Sequence, residues 1–222
     1  SDRHNPCLNK GYSYFIDDDL VQTHMDKFEE KIPEEKNMCN HHDAIKLATM
    51  RGGKGMSVSG VRAVVCSHHE CWRGSSIINL SKGEQQVRMD LPILLGLKSE
   101  APKDVVISYD IRCQWGKNLW KRIDVYGSDL TLPQLAMDII ILVPKFHLPA
   151  HILECQEEFS FSFELFVGEM EGEALEHTWA VSNPVASSTK EMGPGSRQDT
   201  LDDLWSNHNW QKHIGLHESI II

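Results

Sequence analysis

Val105-Val-Ile-Ser-Tyr-Asp-Ile111 is the stretch on which the fold turns. β-Branched residues dominate it, Pro102 precedes it as a breaker, and an acid, Asp110, stands near its end. A run of this kind reads as a strand buried in a sheet. Carboxylates at strand ends of open α/β sheets are well placed to hold a metal at an exposed edge. As a turn or cap residue, Asp110 would have a purely structural part. Upstream, Val58 to Cys66 alternates Val61, Ala63 and Val65 with Gly60, Arg62 and Val64, which predicts another strand ending in Cys66-Ser-His-His69. The class expected is α/β.

Helical patterns flank these strands. Asp17, Asp18 and Asp19 precede Leu20, Val21, Met25 and Phe28, the last three spaced i, i+4, i+7, so an amphipathic helix begins with acids at its positive end. Residues 29–40 read as a loop, and His42 to Met50 as a short helix. Arg51-Gly-Gly-Lys-Gly55 is a turn without the Lys-Ser/Thr ending of a phosphate-binding loop. Trp115 to Val143 predicts two helices parted at Gly127-Ser128. Glu169, Glu171, Glu173 and Glu176, with Leu175 and Trp179 four apart, predict a helix from about Glu171 with an acidic face. Asn183-Pro184 and Gly193-Pro-Gly195 are loop chemistry. A short final helix follows, with Asp199 or Thr200 as cap and Leu201, Leu204 and Trp205 as its apolar face. The expected organisation is one domain over 1–222, a mostly helical insertion over 115–170 and a flexible tail over 211–222.

Composition narrows the function classes. Of 222 residues 41% are hydrophobic and 24% charged, the balance of a globular chain with room for one sizeable core. The longest apolar run, Ile139 to Val143, stops at Pro144, far short of the roughly 18–20 residues a bilayer span needs. Neither membrane insertion nor a secretory leader is expected. Six cysteines spread over the chain fit a reducing, intracellular setting rather than a disulfide scaffold. The 22 Lys and Arg against 32 Asp and Glu give a net charge of −10, which argues against a standalone nucleic-acid binder.

The twelve histidines raise metal ligation. His147, His151 and Cys155 are spaced i, i+4, i+8 and would share one helix face, although Pro149 places the helix start near itself. With Cys113 as fourth ligand they form a candidate Zn²⁺ set, the alternative being buried packing and hydrogen-bonding residues. Leu148 stands where a zinc hydrolase would carry Glu, and no general base is on offer. Cys66 and His69, with His68 and Cys71 nearby, form a second, more cramped candidate cluster. Cys7 and Cys39 read as packing thiols.

Several longer motifs occur in order: Tyr109-Asp-Ile-Arg-Cys-Gln-Trp115, Pro144-Lys-Phe-His-Leu-Pro-Ala-His-Ile-Leu-Glu-Cys-Gln156, Glu171-Gly-Glu-Ala-Leu-Glu-His-Thr-Trp-Ala180, and the run from Asn183 through Ser187-Ser-Thr-Lys-Glu-Met-Gly-Pro-Gly195 to Asp203. Together they resemble the KDZ (Kyakuja-Dileera-Zisupton) transposases, and Pro6-Cys-Leu-Asn-Lys-Gly-Tyr-Ser-Tyr-Phe15 and Lys82-Gly83-Glu84 fall in family order too. The resemblance implies an RNase H-like fold whose three carboxylates hold two Mg²⁺ or Mn²⁺ ions for DNA cleavage and strand transfer. By matching positions, Asp110 is the second acid and Glu173 the third, with Glu176 the competing choice. The family's first acid lies on a strand upstream of the segment that begins here at Ser1, and Asp2 sits in a polar approach that does not replace it. The resemblance thus implies a partial fold lacking its first strand and inactive by itself. It also implies DNA as partner, a nuclear location and self-association as a candidate state. His68 and Arg112 depart from the family pattern, as do Glu169-Met-Glu171, several of the departures lowering positive charge. The competing reading is a domesticated or decayed non-catalytic domain for protein interaction or chromatin association.

Overall fold

A computed structural model describes residues 5–10, 12–33, 39, 58, 60–80, 85–98, 102–130 and 138–219. Helix α1 (Asp18–Phe28) starts where expected. Its N-cap Asp17 accepts from the Asp19 backbone N–H at 2.8 Å, and Val21, Met25 and Phe28 are buried on one face. Strand β1 (Gly60–Cys66) pairs antiparallel with β2 (Cys71–Leu80) across a tight turn, Cys66 facing Cys71, with an irregularity between Ala63 and Val65. Helix α2 (Gln86–Lys98) packs against both strands.

Strand β3 (Asp104–Ser108) runs parallel to β4 (Asp138–Leu142), from Val105 opposite Ile139 to Ser108 opposite Leu142. The segment expected to be a helix over Leu132 to Val143 is therefore corrected over 138–142, which lies inside the stretch expected to be a mostly helical insertion. A short apolar run is ambiguous between helix and strand by periodicity; the β-branched Ile139, Ile140 and Ile141 and an available parallel edge decide it. Between β3 and β4 lie α3 (Arg112–Trp115) and α4 (Leu119–Tyr126). After β4 come a 3₁₀ turn (Leu148–Ala150), α5 (Leu153–Glu158), α6 (Ala174–Ser182), α7 (Ala186–Thr189) and α8 (Pro194–Ser219). The tail expected to be flexible from 211 is helical to Ser219. The expected helix over 42–50 and turn over 51–55 lie outside the described residues.

Each sheet holds two strands among the described residues, and one core serves both. Met25 and Phe28 from α1, Ile78 and Leu80 from β2, Leu91 and Leu94 from α2, Trp115, Leu119 and Ile123, and Ile141 from β4 belong to it. A second core on α8 joins Leu201 and Trp205 to Phe15, Trp72 and Ile77. Asp90, fully buried on α2, organises the first core. It accepts from Trp115 Nε1 at 2.7 Å, from Arg122 Nε at 2.7 Å and Nη2 at 3.0 Å, and from the Tyr126 hydroxyl at 2.5 Å. A buried carboxylate is tolerated because its lone pairs and charge are met at once.

Candidate functional site

The carboxyl ends of β3 and β4 meet the start of α6. Beyond β3, the Tyr109 N–H still donates to the Leu142 carbonyl at 2.9 Å, and Asp110 follows, half-buried, its Oδ1 accepting from the Ile111 N–H at 3.0 Å. Beyond β4, the Val143 N–H donates to the Phe159 carbonyl at 3.0 Å and the Lys145 N–H to the Glu171 carbonyl at 2.9 Å. Those bonds lay residues 171–173 alongside the strand ends. The Ser108 hydroxyl donates to the Gly172 carbonyl at 2.8 Å, two residues before Asp110 and one before Glu173.

Glu173 sits at the N-cap of α6 but does not cap it with its side chain. Its Oε1 accepts from the Phe146 N–H at 2.7 Å, and Oε2 lies 3.5 Å from His147 Nδ1. The carboxylate is turned toward the segment after β4. Glu176, one turn later, is exposed and lines a different cavity of about 470 Å³ with Trp179, Lys190, Arg197 and Trp205. The two acids that the sequence leaves in competition thus face different surroundings.

A second group lies beside this one. Sulfurs of Cys39, Cys113 and Cys155 and a ring nitrogen of His151 all fall within 4.8 Å of one another, so this Cys3His group could hold a metal such as Zn²⁺. Cys39 and Cys113 Sγ each stand 3.6 Å from His151 Nδ1, and the Ile152 N–H donates to Cys39 Sγ at 3.4 Å. Burial first, then the neighbouring thiols of Cys155 and Cys39, pushes the Cys113 thiol up to about 12. Burial, then Cys39, raises Cys155 as well.

Membership of this group differs from the expected set. His147 faces Glu173, and Cys39, read as a packing thiol, takes its place. The reason is local: Pro149 sits in a 3₁₀ turn, His151 is extended, and α5 starts only at Leu153, so 147, 151 and 155 never share a helix face. The one sequence signal for Cys39 is its company, Asn40-His41-His42 directly after it. Of the other candidate cluster, Cys66 Sγ and His69 Nδ1 meet at 3.4 Å, while the Cys71 thiol donates to the His69 carbonyl at 3.4 Å.

Comparison with known proteins adds one match. A family model described as Kyakuja-Dileera-Zisupton transposase covers residues 1–209. No curated protein and no solved structure matches.

Proposed function

The chain belongs to the KDZ transposase family, and from that premise we propose that it forms part of the RNase H-like core of a DNA transposase, with Asp110 and Glu173 as metal-holding carboxylates. The observation that carries this reading is the Ser108–Gly172 bond, which joins the strand end bearing Asp110 to the helix start bearing Glu173. Glu173 is favoured over Glu176 because it is turned toward the strand ends.

Hard carboxylate oxygens suit Mg²⁺ or Mn²⁺, and each acid spends only one oxygen on a backbone N–H, leaving acceptor capacity for an ion. Such ions, when bound, stabilise the attacking and leaving oxygens of a displacement at phosphorus. The chain's own contribution is orientation: Ile111 N–H holds Asp110, Phe146 N–H holds Glu173, and His147 flanks Glu173 on its other oxygen. DNA is the proposed substrate and the nucleus the proposed location. Among the described residues no helix is long and apolar enough to cross a membrane.

The test is Mn²⁺ titration of the 222-residue chain, followed by electron paramagnetic resonance of free Mn²⁺. Saturable binding that weakens at least about tenfold in Asp110→Asn and in Glu173→Gln, but not in Glu176→Gln, supports the reading; about 1.4 kcal/mol corresponds to that factor. Binding unchanged in the first two variants sinks it. A second reading, a non-catalytic interaction domain, draws on exposed Phe146, Phe163, Leu165 and Phe166 and on the net charge of −10. Partner binding that survives the Asp110→Asn, Glu173→Gln double variant would favour it.

A further inference from the structure

We propose that Cys39, Cys113, His151 and Cys155 bind one structural Zn²⁺ ion, and that His147 is not a ligand. The argument rests on the geometry of these four side chains and is independent of the transposase reading. Zinc with Zn–S near 2.3 Å and Zn–N near 2.0–2.1 Å in a tetrahedron puts sulfur and nitrogen roughly 3.6 Å apart. Both Sγ to Nδ1 distances are 3.6 Å. As hydrogen bonds these contacts make poor sense. One ring nitrogen offers a single donor or a single lone pair and cannot serve two thiols well. A cation at the centre of the four atoms satisfies them together.

The surroundings agree. Cys39, Cys155 and His151 are buried, and the apolar wall is made by Val143, Phe159, Leu148 and Ile152. The Ile152 N–H aimed at Cys39 Sγ is the outer support that a thiolate ligand uses, and Gln156 Nε2 pins the His151 carbonyl at 2.6 Å. Sulfur and imidazole select zinc over the hard ions proposed for the carboxylates. With four protein ligands and little exposure there is no open position for water, so the ion is structural rather than catalytic.

The site also joins what the chain keeps apart. Cys39 and His151 are 112 residues apart and Cys113 and His151 are 38 apart. Cys113 lies three residues after Asp110, and His151 four after His147, which faces Glu173. Zinc would therefore tie the segment that bears Asp110 to the segment against which the Glu173 carboxylate rests.

The experiment is elemental analysis of the tag-free 222-residue chain purified without chelator, with cobalt substitution as a second readout. Expected are about one zinc per chain, a visible cobalt spectrum of tetrahedral, three-sulfur type, and a lower Tm in EDTA. Cys39→Ser, Cys113→Ser and Cys155→Ser should each lose most of the zinc, whereas His147→Ala should keep it. If a cysteine variant does not fold, the cobalt spectrum of the unmutated chain still counts its sulfur ligands. A chain with less than about a tenth of an equivalent, no cobalt spectrum and a Tm indifferent to EDTA overturns the proposal. So does a His147→Ala variant that loses zinc while Cys39→Ser retains it.

Discussion

The Ser108 hydroxyl at the end of β3 donates to the carbonyl of Gly172 at 2.8 Å, across 64 residues of chain. Gly172 holds φ at +78°, and a Cβ there would lie 2.4 Å from Ser108 Oγ and 2.7 Å from the Phe161 ring. Strained backbone and overlap add, so Gly172→Ala is expected to destabilise by about 2–4 kcal/mol. Ser108→Ala, which loses only the bond, should cost about 0.5–1.5 kcal/mol. Urea unfolding of both variants checks the order. A Gly172→Ala variant as stable as the parent would show that the crossing has room to move.

Asp90 and Arg122 are both buried and bonded at 2.7 Å. Removing one partner leaves the other's charge uncompensated, and Asp90→Ala is expected to cost about 3–5 kcal/mol. The double variant Asp90→Leu, Arg122→Met should recover much of that loss, since an apolar pair of similar volume escapes the desolvation penalty. A thermodynamic cycle over the four proteins measures the coupling. Additive losses would mean that Trp115 and Tyr126, not Arg122, carry the stabilisation.

His24 is buried between the rings of Phe28 and Tyr126 and donates through Nε2 to the Val87 carbonyl at 3.0 Å. Burial lowers its pKa below the ordinary 6.5, outweighing the opposing effect of that bond. The folded state thus takes up a proton less readily than the unfolded one. Stability should be full above about pH 6.5 and fall below it, by at most about 1.4 kcal/mol per pH unit, until the folded pKa is passed. Denaturant titrations at a series of pH values should show this slope shrinking in His24→Gln.

Glu70 occupies the β1–β2 turn with φ at +50° and pairs with Lys212 of α8 and with His177 of α6, the latter at 2.9 Å. Lys212 first, then His177, holds its carboxyl below the ordinary 4.5. The contribution of a lowered carboxyl is present above the unfolded value and lost as pH falls through the folded one. Because all three groups are partly exposed, Glu70→Gln should cost only about 0.5–1 kcal/mol at pH 7. That difference should disappear under acid conditions and shrink in high salt. A cost that persists once Glu70 is protonated in the folded state too would point to turn geometry instead of charge.

Much of the scaffold was legible from residue patterns. The α1 stripe, the apolar runs that became β1 and β3, and the order of long motifs identify strands, helix and family without a single contact. Strand β4 was not legible, because Ile139 to Leu142 fits a helix or a strand until β3 offers a parallel edge. Helix α8 runs past its expected end, and in that stretch Lys212 pairs with Glu70 of the β1–β2 turn, a contact no local pattern shows. Local sequence put Asp110 at the end of a strand, Glu173 on a helix expected from about Glu171, and sulfur and imidazole around Pro149; the strand in fact ends at Ser108 and the helix starts at Ala174, with Glu173 at its N-cap. Only the tertiary structure decided which of them meet. It turned His147 to Glu173, drew Cys39 in beside His151, and sent Glu173 and Glu176 toward different surroundings. The physical reason is that periodicity fixes neighbours along one element, whereas a ligand set or a carboxylate pair is assembled from elements whose packing is set by the whole core.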